Sequence, residues 1–240
     1  MQIDVALVPQ QADDWEDRVC IVVDVIRAST TLVTLFERGM EAVYVAAEVD
    51  EARRLAREQD ALLMGERGGV ALPGFDYGNS PVVVVDEDFS GQRAVLTTSN
   101  GTAALERVAG AKAVLVGALQ NATACCEAAL ALAHEHQLDI GIACAGKRRR
   151  FVLDDAICAG VLVETLADRA EHYELTDAAQ AARRLPRAYP DVLTPFRASG
   201  SGRHLLRIDH GEDIAFCARQ DVSHVVPVLQ PGVPLHLKSM

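Results

Sequence analysis

The sequence predicts an α/β fold built on a mixed, largely parallel sheet flanked by helices. Three observations carry this. Short apolar runs recur along the chain, as expected of strands buried on both faces. Amphipathic helical stretches alternate with them. Between the two stands, repeatedly, a short loop of glycine and small polar residues, so the recurring unit is strand, polar loop, helix. No repeat of fixed period is visible. The 240 residues suffice for a single domain spanning 1–240, or for two lobes sharing a sheet and a cleft.

Taken in order, residues 3–8 predict a first strand and Gln10 to Arg18 a polar loop with Trp15 as an anchor. The stretch Val19 to Thr31, VCIVVDVIRASTT, organises the rest. Its apolar run predicts a core strand, which delivers Asp24, Arg27, Ser29, Thr30 and Thr31 to the start of a helix ending near Gly39. Helix starts attract anions through unpaired N–H groups and the helix dipole. Asp24 suits a metal, Arg27 a phosphate or carboxylate, and the hydroxyls either ligand oxygens or the helix cap. The plainer alternative is that Asp24 pairs with Arg27 while Ser29 or Thr30 only caps.

Strands are expected at Ala42 to Ala47 and Ala61 to Met64, with a charged helix, Val49 to Gln59, between them. A long glycine-rich loop follows, GERGG at Gly65 to Gly69 and then VALPGFDYGNSP, carrying Glu66, Arg67, Asp76 and Asn79. Its length and lack of periodicity favour a functional loop over a surface turn. Val82 to Val85 is a further apolar stretch. The strand Ala94 to Thr97 runs into TTSNGT, Thr97 to Thr102, where Asn100-Gly101 permits a left-handed backbone aimed at an anion. Then come a strand at Ala113 to Val116, an Ala-rich helix from Asn121 to His136, and a strand from Leu138 to Cys144. KRRR, Lys147 to Arg150, leaves that strand end, and Asp154 and Asp155 open the next helix. Beyond Thr176 the pattern is helical, with SGSGR, Ser199 to Arg203, as another loop before a helix. A helical segment Glu212 to Cys217, a strand Val225 to Leu229 and a Pro-rich tail close the sequence.

Composition narrows the function. The formal net charge of −11 argues against nucleic acid as a partner. No apolar run approaches the roughly 18 residues of a membrane span, and MQIDVALVPQ has no signal-peptide pattern. The six cysteines form no CxxC or zinc spacing, which predicts reduced thiols and a cytoplasmic location. An acidic metabolic enzyme of this size is compatible with a homodimer. No GxxxxGK[ST], GxGxxG or GxSxG occurs.

If the strands are mostly parallel, DVIRAST, GERGG, TTSNGT and ACAGKRRR converge on one sheet edge. Carboxylates without histidine or thiolate partners suit a hard ion such as Mg²⁺ bound jointly with substrate phosphate. Arginines and helix starts suit phosphate, sulfonate or carboxylate. Together they predict metal-assisted phosphoryl transfer to water. A phospho-aspartate at Asp24 is an alternative chemistry. A Cys144 thiolate, with Arg150 six residues on, is a weaker one.

These residues also carry a resemblance. DVIRASTT (Asp24 to Thr31), GERGG, GFDYGNSP (Gly74 to Pro81), TTSNGT, ACAG…FVLDDAICAG and SGSGRHL…DIAFCARQD…VVPVL resemble, in that order, the 2-phosphosulfolactate phosphatase (ComB-like) family. Ser99, Asp154 and the strongly basic KRRR depart from its pattern. The resemblance implies a compact α/β fold with a mixed sheet. It implies Mg²⁺-dependent hydrolysis of 2-phospho-3-sulfolactate to sulfolactate and phosphate, a step of coenzyme M synthesis in methanogens. It implies a small, strongly anionic phosphorylated substrate. Asp24, Arg27, Asp76 and Asp155 are the expected catalytic residues, with Asp24, Glu66 and Asp76 as the metal ligands. Ser29, Thr30, Arg67, Asn79, Asn100, Gly101, Thr102, Lys147 and Arg148 are expected to bind substrate. The competing readings are a non-catalytic binding protein for phosphorylated or sulfonated carboxylates, and a phosphatase for a related 2-phospho acid.

Overall fold

Strand β2 (Arg18–Val23) shows why the fold forms: its residues beyond Arg18 are all buried, as an apolar run without alternation requires. The structure is a computed structural model that describes residues 1–12 and 15–240. Asp13 and Asp14, within the expected Gln10 to Arg18 loop, lie outside the described residues. The remaining strands are β1 (Gln2–Ala6), β3 (Ala42–Val45), β4 (Leu62–Arg67), β5 (Val70–Ala71), β6 (Arg93–Thr97), β7 (Ala113–Val116), β8 (Asp139–Cys144), β9 (Glu174–Leu175), β10 (Pro227–Gln230) and β11 (His236–Ser239). The helices are α1 (Ala28–Glu37), α2 (Val49–Gln59), α3 (Pro81–Val84), α4 (Gly101–Arg107), α5 (Ala122–His136), α6 (Leu153–Arg169), α7 (Asp177–Arg184), α8 (Leu193–Ala198), α9 (Gly200–Arg207) and α10 (Gly211–Cys217).

The sheet runs β5-β4-β6-β3-β11-β10-β7-β2-β8-β1-β9. The α/β class with a mixed, mostly parallel sheet is therefore as expected. The parallel ladders fall into two blocks. In one, β4 and β3 flank β6. In the other, β7, β2, β8, β1 and β9 pair in succession. The β10–β11 hairpin joins them, antiparallel to β7 on one side and to β3 on the other. Three successive antiparallel pairings set the two blocks in opposite directions. The expected single edge of one parallel sheet is thus replaced by two sets of strand ends. The blocks nevertheless share a core. Val22 and Val116 of one pack in the same cluster as Val45 and Leu96 of the other, with Leu32 of α1 and Leu105 of α4. Sheet twist of roughly 20–25° per strand pair accumulates across the hairpin and lets the two faces enclose these helices.

Several elements depart from expectation. β4 continues through Glu66 and Arg67, so GERGG is a strand end and a turn into β5. The apolar stretch Val82 to Val85 lies largely in a short helix, α3. SGSGR is the cap and first turn of α9 rather than a loop before it: Ser199 Oγ accepts the Gly202 N–H at 2.9 Å. The Pro-rich tail holds β11. Trp15 is an anchor, its ring lying where Gly141 leaves no room for a Cβ.

Candidate active site

The loop after β2 reaches the cleft first. Asp24 N–H donates to Ser29 Oγ and Ser29 N–H returns to Asp24 O, both at 2.8 Å, so the turn into α1 is locked. This leaves the Asp24 carboxylate on the wall of a cleft with Arg27, Glu66, Asn79, Asn100 and Lys147. Burial, then repulsion from Glu66 and Asp154, push the Asp24 carboxyl up to about 7, although the Ala28 N–H and the Arg27 charge pull the other way. Gly101 is held close beneath it: a Cβ there would stand 2.9 Å from Asp24 Oδ2 and 2.9 Å from Ala28 Cβ.

Arg27 does not pair with Asp24. Its Nη1 donates to Asp213 Oδ2 at 2.7 Å and its Nη2 to Gly69 O at 2.6 Å. Ser80 Oγ donates to the other Asp213 oxygen at 2.6 Å. The side chain thus spans α10 and the glycine-rich turn while still bordering the cleft.

Glu66 ties two expected loops together. Its Oε2 accepts from Gly69 N–H at 2.6 Å and its Oε1 from Ser99 N–H at 2.7 Å. The Asn79 amide is buried on the cleft wall, and its Oδ1 has no hydrogen-bond partner. Asn100 Oδ1 accepts the Arg148 N–H at 3.0 Å, linking TTSNGT to KRRR. Neither Asn100 nor Gly101 has a left-handed backbone; that conformation falls instead on Arg148 and Arg149, at φ +51° and +63°.

Other expected site residues stand elsewhere. Asp76 is exposed and sits at the start of β4, where its Oδ2 accepts the Leu63 N–H at 2.8 Å; the structure does not bring it to the cleft. Asp155 lies under the loops, with Oδ1 accepting Val25 N–H and Oδ2 accepting Gly146 N–H, so it positions two strand ends rather than facing the cleft. Burial, then Asp154 and Asp24, push its carboxyl well up. Thr30 Oγ1 donates to Val25 O at 2.8 Å, and Ser29 Oγ is held by the β2–α1 backbone. Thr102 Oγ1 accepts Thr98 N–H at 3.2 Å. These three hydroxyls brace buried backbone and are not on the cleft wall. Arg67 is fastened to Glu66 O, Ala47 O and Thr97 Oγ1, on the outer margin. Lys147 borders the cleft, and Arg148 borders its outer continuation.

Sequence inspection gave no role to Asp213, Ser201 or His204. Ser201 and His204 reach the cleft from α9, and His204 Nε2 lies 2.7 Å from Gly68 O. Asp154 is buried beside them with Oδ1 unpartnered. Burial raises its carboxyl, opposed by the Ser201 and Ser199 hydroxyls and by Lys147. The SGSGRHL and DIAFCARQD stretches contained these residues, but nothing in their spacing pointed to a contact with Arg27. Cys144 is buried in β8, and burial pushes its thiol well up, so the thiolate alternative has no support.

A divalent cation is compatible with these residues. Asp24 and Asn79, whose buried Oδ1 has no partner, supply hard oxygen donors among the residues of the cleft, while Glu66 already accepts two N–H bonds. Among the described residues no three His, Cys, Asp or Glu side chains gather as a metal cluster. One carboxylate and an amide oxygen would suffice for a hard divalent ion that completes its shell with water and substrate phosphate.

Among the described residues no helix is long and apolar enough to cross a membrane. The family model for 2-phosphosulpholactate phosphatase matches residues 6–232. A Deinococcus radiodurans protein named probable 2-phosphosulfolactate phosphatase is 41% identical over 235 residues, covering 97% of this chain and 95% of its own. A Thermus thermophilus protein of the same name is 39% identical over 234 residues (97% and 96%). One from Symbiobacterium thermophilum is 35% identical over 225 residues (92% and 95%). With a match this long, and relatives this similar over nearly their full length, the chain belongs to the 2-phosphosulfolactate phosphatase family of phosphoric monoester hydrolases.

Proposed function

We propose that this chain hydrolyses 2-phospho-3-sulfolactate to sulfolactate and inorganic phosphate, with Mg²⁺ as its cofactor. The observation that carries the reading is Asp24. Its carboxylate lies on a cleft wall shared with Arg27, Asn79 and Lys147, and burial beside Glu66 and Asp154 raises it to about 7. Asp24 and Asn79 would hold the ion. When bound, Mg²⁺ offsets charge on the phosphoryl oxygens and lowers the pKa of a water. Arg27 and Lys147 face the phosphate and the neighbouring carboxylate or sulfonate with positive charge. The Glu66 clamp keeps the glycine turn and the Ser99 loop in register around the ester. Water oxygen bonds to phosphorus as the ester P–O bond breaks, and the C2 oxygen leaves with the electron pair and takes up a proton.

The reading includes one domain over 1–240, a cytoplasmic location supported by six free buried thiols, and a homodimer. The test is phosphate release from racemic 2-phosphosulfolactate, with Mg²⁺ and with excess EDTA, beside phospholactate and phosphoglycerate. EDTA-sensitive release from the sulfonated ester alone is expected. Equal rates on all three esters would discard the named substrate. No release from any, with folded protein and Mg²⁺ present, would leave the binding-protein reading.

A further inference from the structure

The inner cleft opens into a larger hollow that shares its Gly68, Ser99, Asn100, Lys147 and His204 walls. The hollow has a volume of about 1100 Å³ against about 80 Å³ for the inner cleft. A three-carbon ester with its phosphate near Asp24 has no use for that space. The lining of the hollow is rich in cations. Arg148, Arg150 and Arg207 stand on it, and among the described residues none of the three has a carboxylate within ion-pair distance. Among the described residues Glu48 is the one acid on that wall. In a chain of formal charge −11, an unneutralised group of cations is a local positive field in a negative molecule, and such a field draws anions.

Phe151 lies on the same wall with 48% of its surface exposed. An exposed aromatic ring among arginines offers an apolar face to a carbon chain. The turn that presents these residues closes through Lys147 N–H to Arg150 O at 2.9 Å and Arg150 N–H to Lys147 O at 3.0 Å. Arg148 takes a left-handed backbone there, which glycine would adopt at less cost.

We propose that the hollow is a second anion subsite, and that the chain takes phosphate esters of molecules longer than sulfolactate that carry a distal anionic group. The phosphate occupies the inner cleft, the carbon body lies against Phe151, and the distal anion meets Arg150 and Arg207. This rests on the proposed phosphate position at Asp24 and extends the substrate class of the same site.

The test is calorimetric binding of ω-carboxyalkylphosphonates of increasing chain length, starting from 3-phosphonopropionate, with Mg²⁺ present. Affinity is expected to rise to a maximum at an intermediate length, roughly five- to tenfold above the shortest ligand. That gain should shrink in high salt and flatten in Arg150→Gln and Arg207→Gln, both exposed positions where folding is not at stake. An affinity that is flat or falls with length, or a gain that persists in both variants, overturns the subsite. These ligands are not hydrolysed, so the readout is separate from turnover. Phosphate release with no length dependence sinks the subsite and keeps the phosphatase. A length-dependent gain without phosphate release keeps the subsite and sinks the phosphatase reading.

Discussion

Arg27, at the start of α1, and Asp213, in α10, are 186 residues apart in the chain and meet at 2.7 Å, with 3% and 2% of their side chains exposed. Breaking a buried pair from one side leaves the other charge stranded, at a cost of about 3–5 kcal/mol. Asp213→Ala is expected to lower the urea midpoint accordingly. Asp213→Asn, which can still accept from Ser80, should lose less. Midpoints equal to wild type in both would mean the pair contributes nothing.

Asp24 makes stability depend on pH. Its carboxyl has an ordinary value of 3.8 and stands at about 7 in the folded chain, so the native state holds the proton more tightly. Its contribution is full below the lower value and is lost as pH rises through the upper one. Urea unfolding in EDTA should show wild type weaker at about pH 8 than at about pH 5. Asp24→Asn should remove much of that slope, gaining on the order of 3 kcal/mol at the higher pH, while phosphate release collapses. A variant with an unchanged slope would contradict the burial argument.

Gly101→Ala places a methyl group against Asp24 Oδ2 and Ala28 Cβ. The carboxylate must shift by a fraction of an ångström or more. The expected loss is roughly 10- to 100-fold in kcat/KM, with far-ultraviolet circular dichroism retained. Undiminished kcat/KM would show that the Asp24 position is not critical.

Glu66→Gln turns one acceptor oxygen into a donor opposite an N–H group of Gly69 or Ser99. Amide hydrogen exchange should quicken at those two residues while the α5 amides stay protected. Unchanged protection at both amides would remove Glu66 from its clamping role.

Cys144→Ser is expected to keep turnover, since the thiol is buried and its thiolate disfavoured. A buried hydroxyl costs about 1–3 kcal/mol, visible as a lower Tm. Loss of turnover in a folded variant would reopen the thiolate mechanism.

Much of this fold was legible because β2, β7 and β8 are continuous apolar runs, which only doubly buried strands require. The polar residues at their ends were legible as a group, and Asp24, Arg27, Asn100 and Lys147 do meet on the cleft. Ser29, Thr30 and Thr102 have hydroxyls suited to anions, yet burial makes backbone groups their nearer partners. Asp76 looked like a site acid because the loop holding it follows a strand end; the loop doubles back to Leu63, at the opposite end of that strand. Asp213 reads as an ordinary first-turn acid of α10, since its partner is distant in sequence. β11 was hidden among prolines and a short, weakly alternating run.

The hairpin between the two parallel blocks dictates an order of assembly. Both blocks leave the ribosome before the strands that join them, because β10 and β11 are the last two strands in chain order. Until then β3 and β7 present open edges, and Val45 and Leu96 have no fixed route to Val22 and Val116. The cleft draws walls from both blocks, so it cannot exist on a nascent chain that lacks the hairpin. Substitutions in β10 or β11 that weaken pairing with β3 and β7 are therefore expected to open the cleft and the sheet together, although no residue of the hairpin lines the cleft.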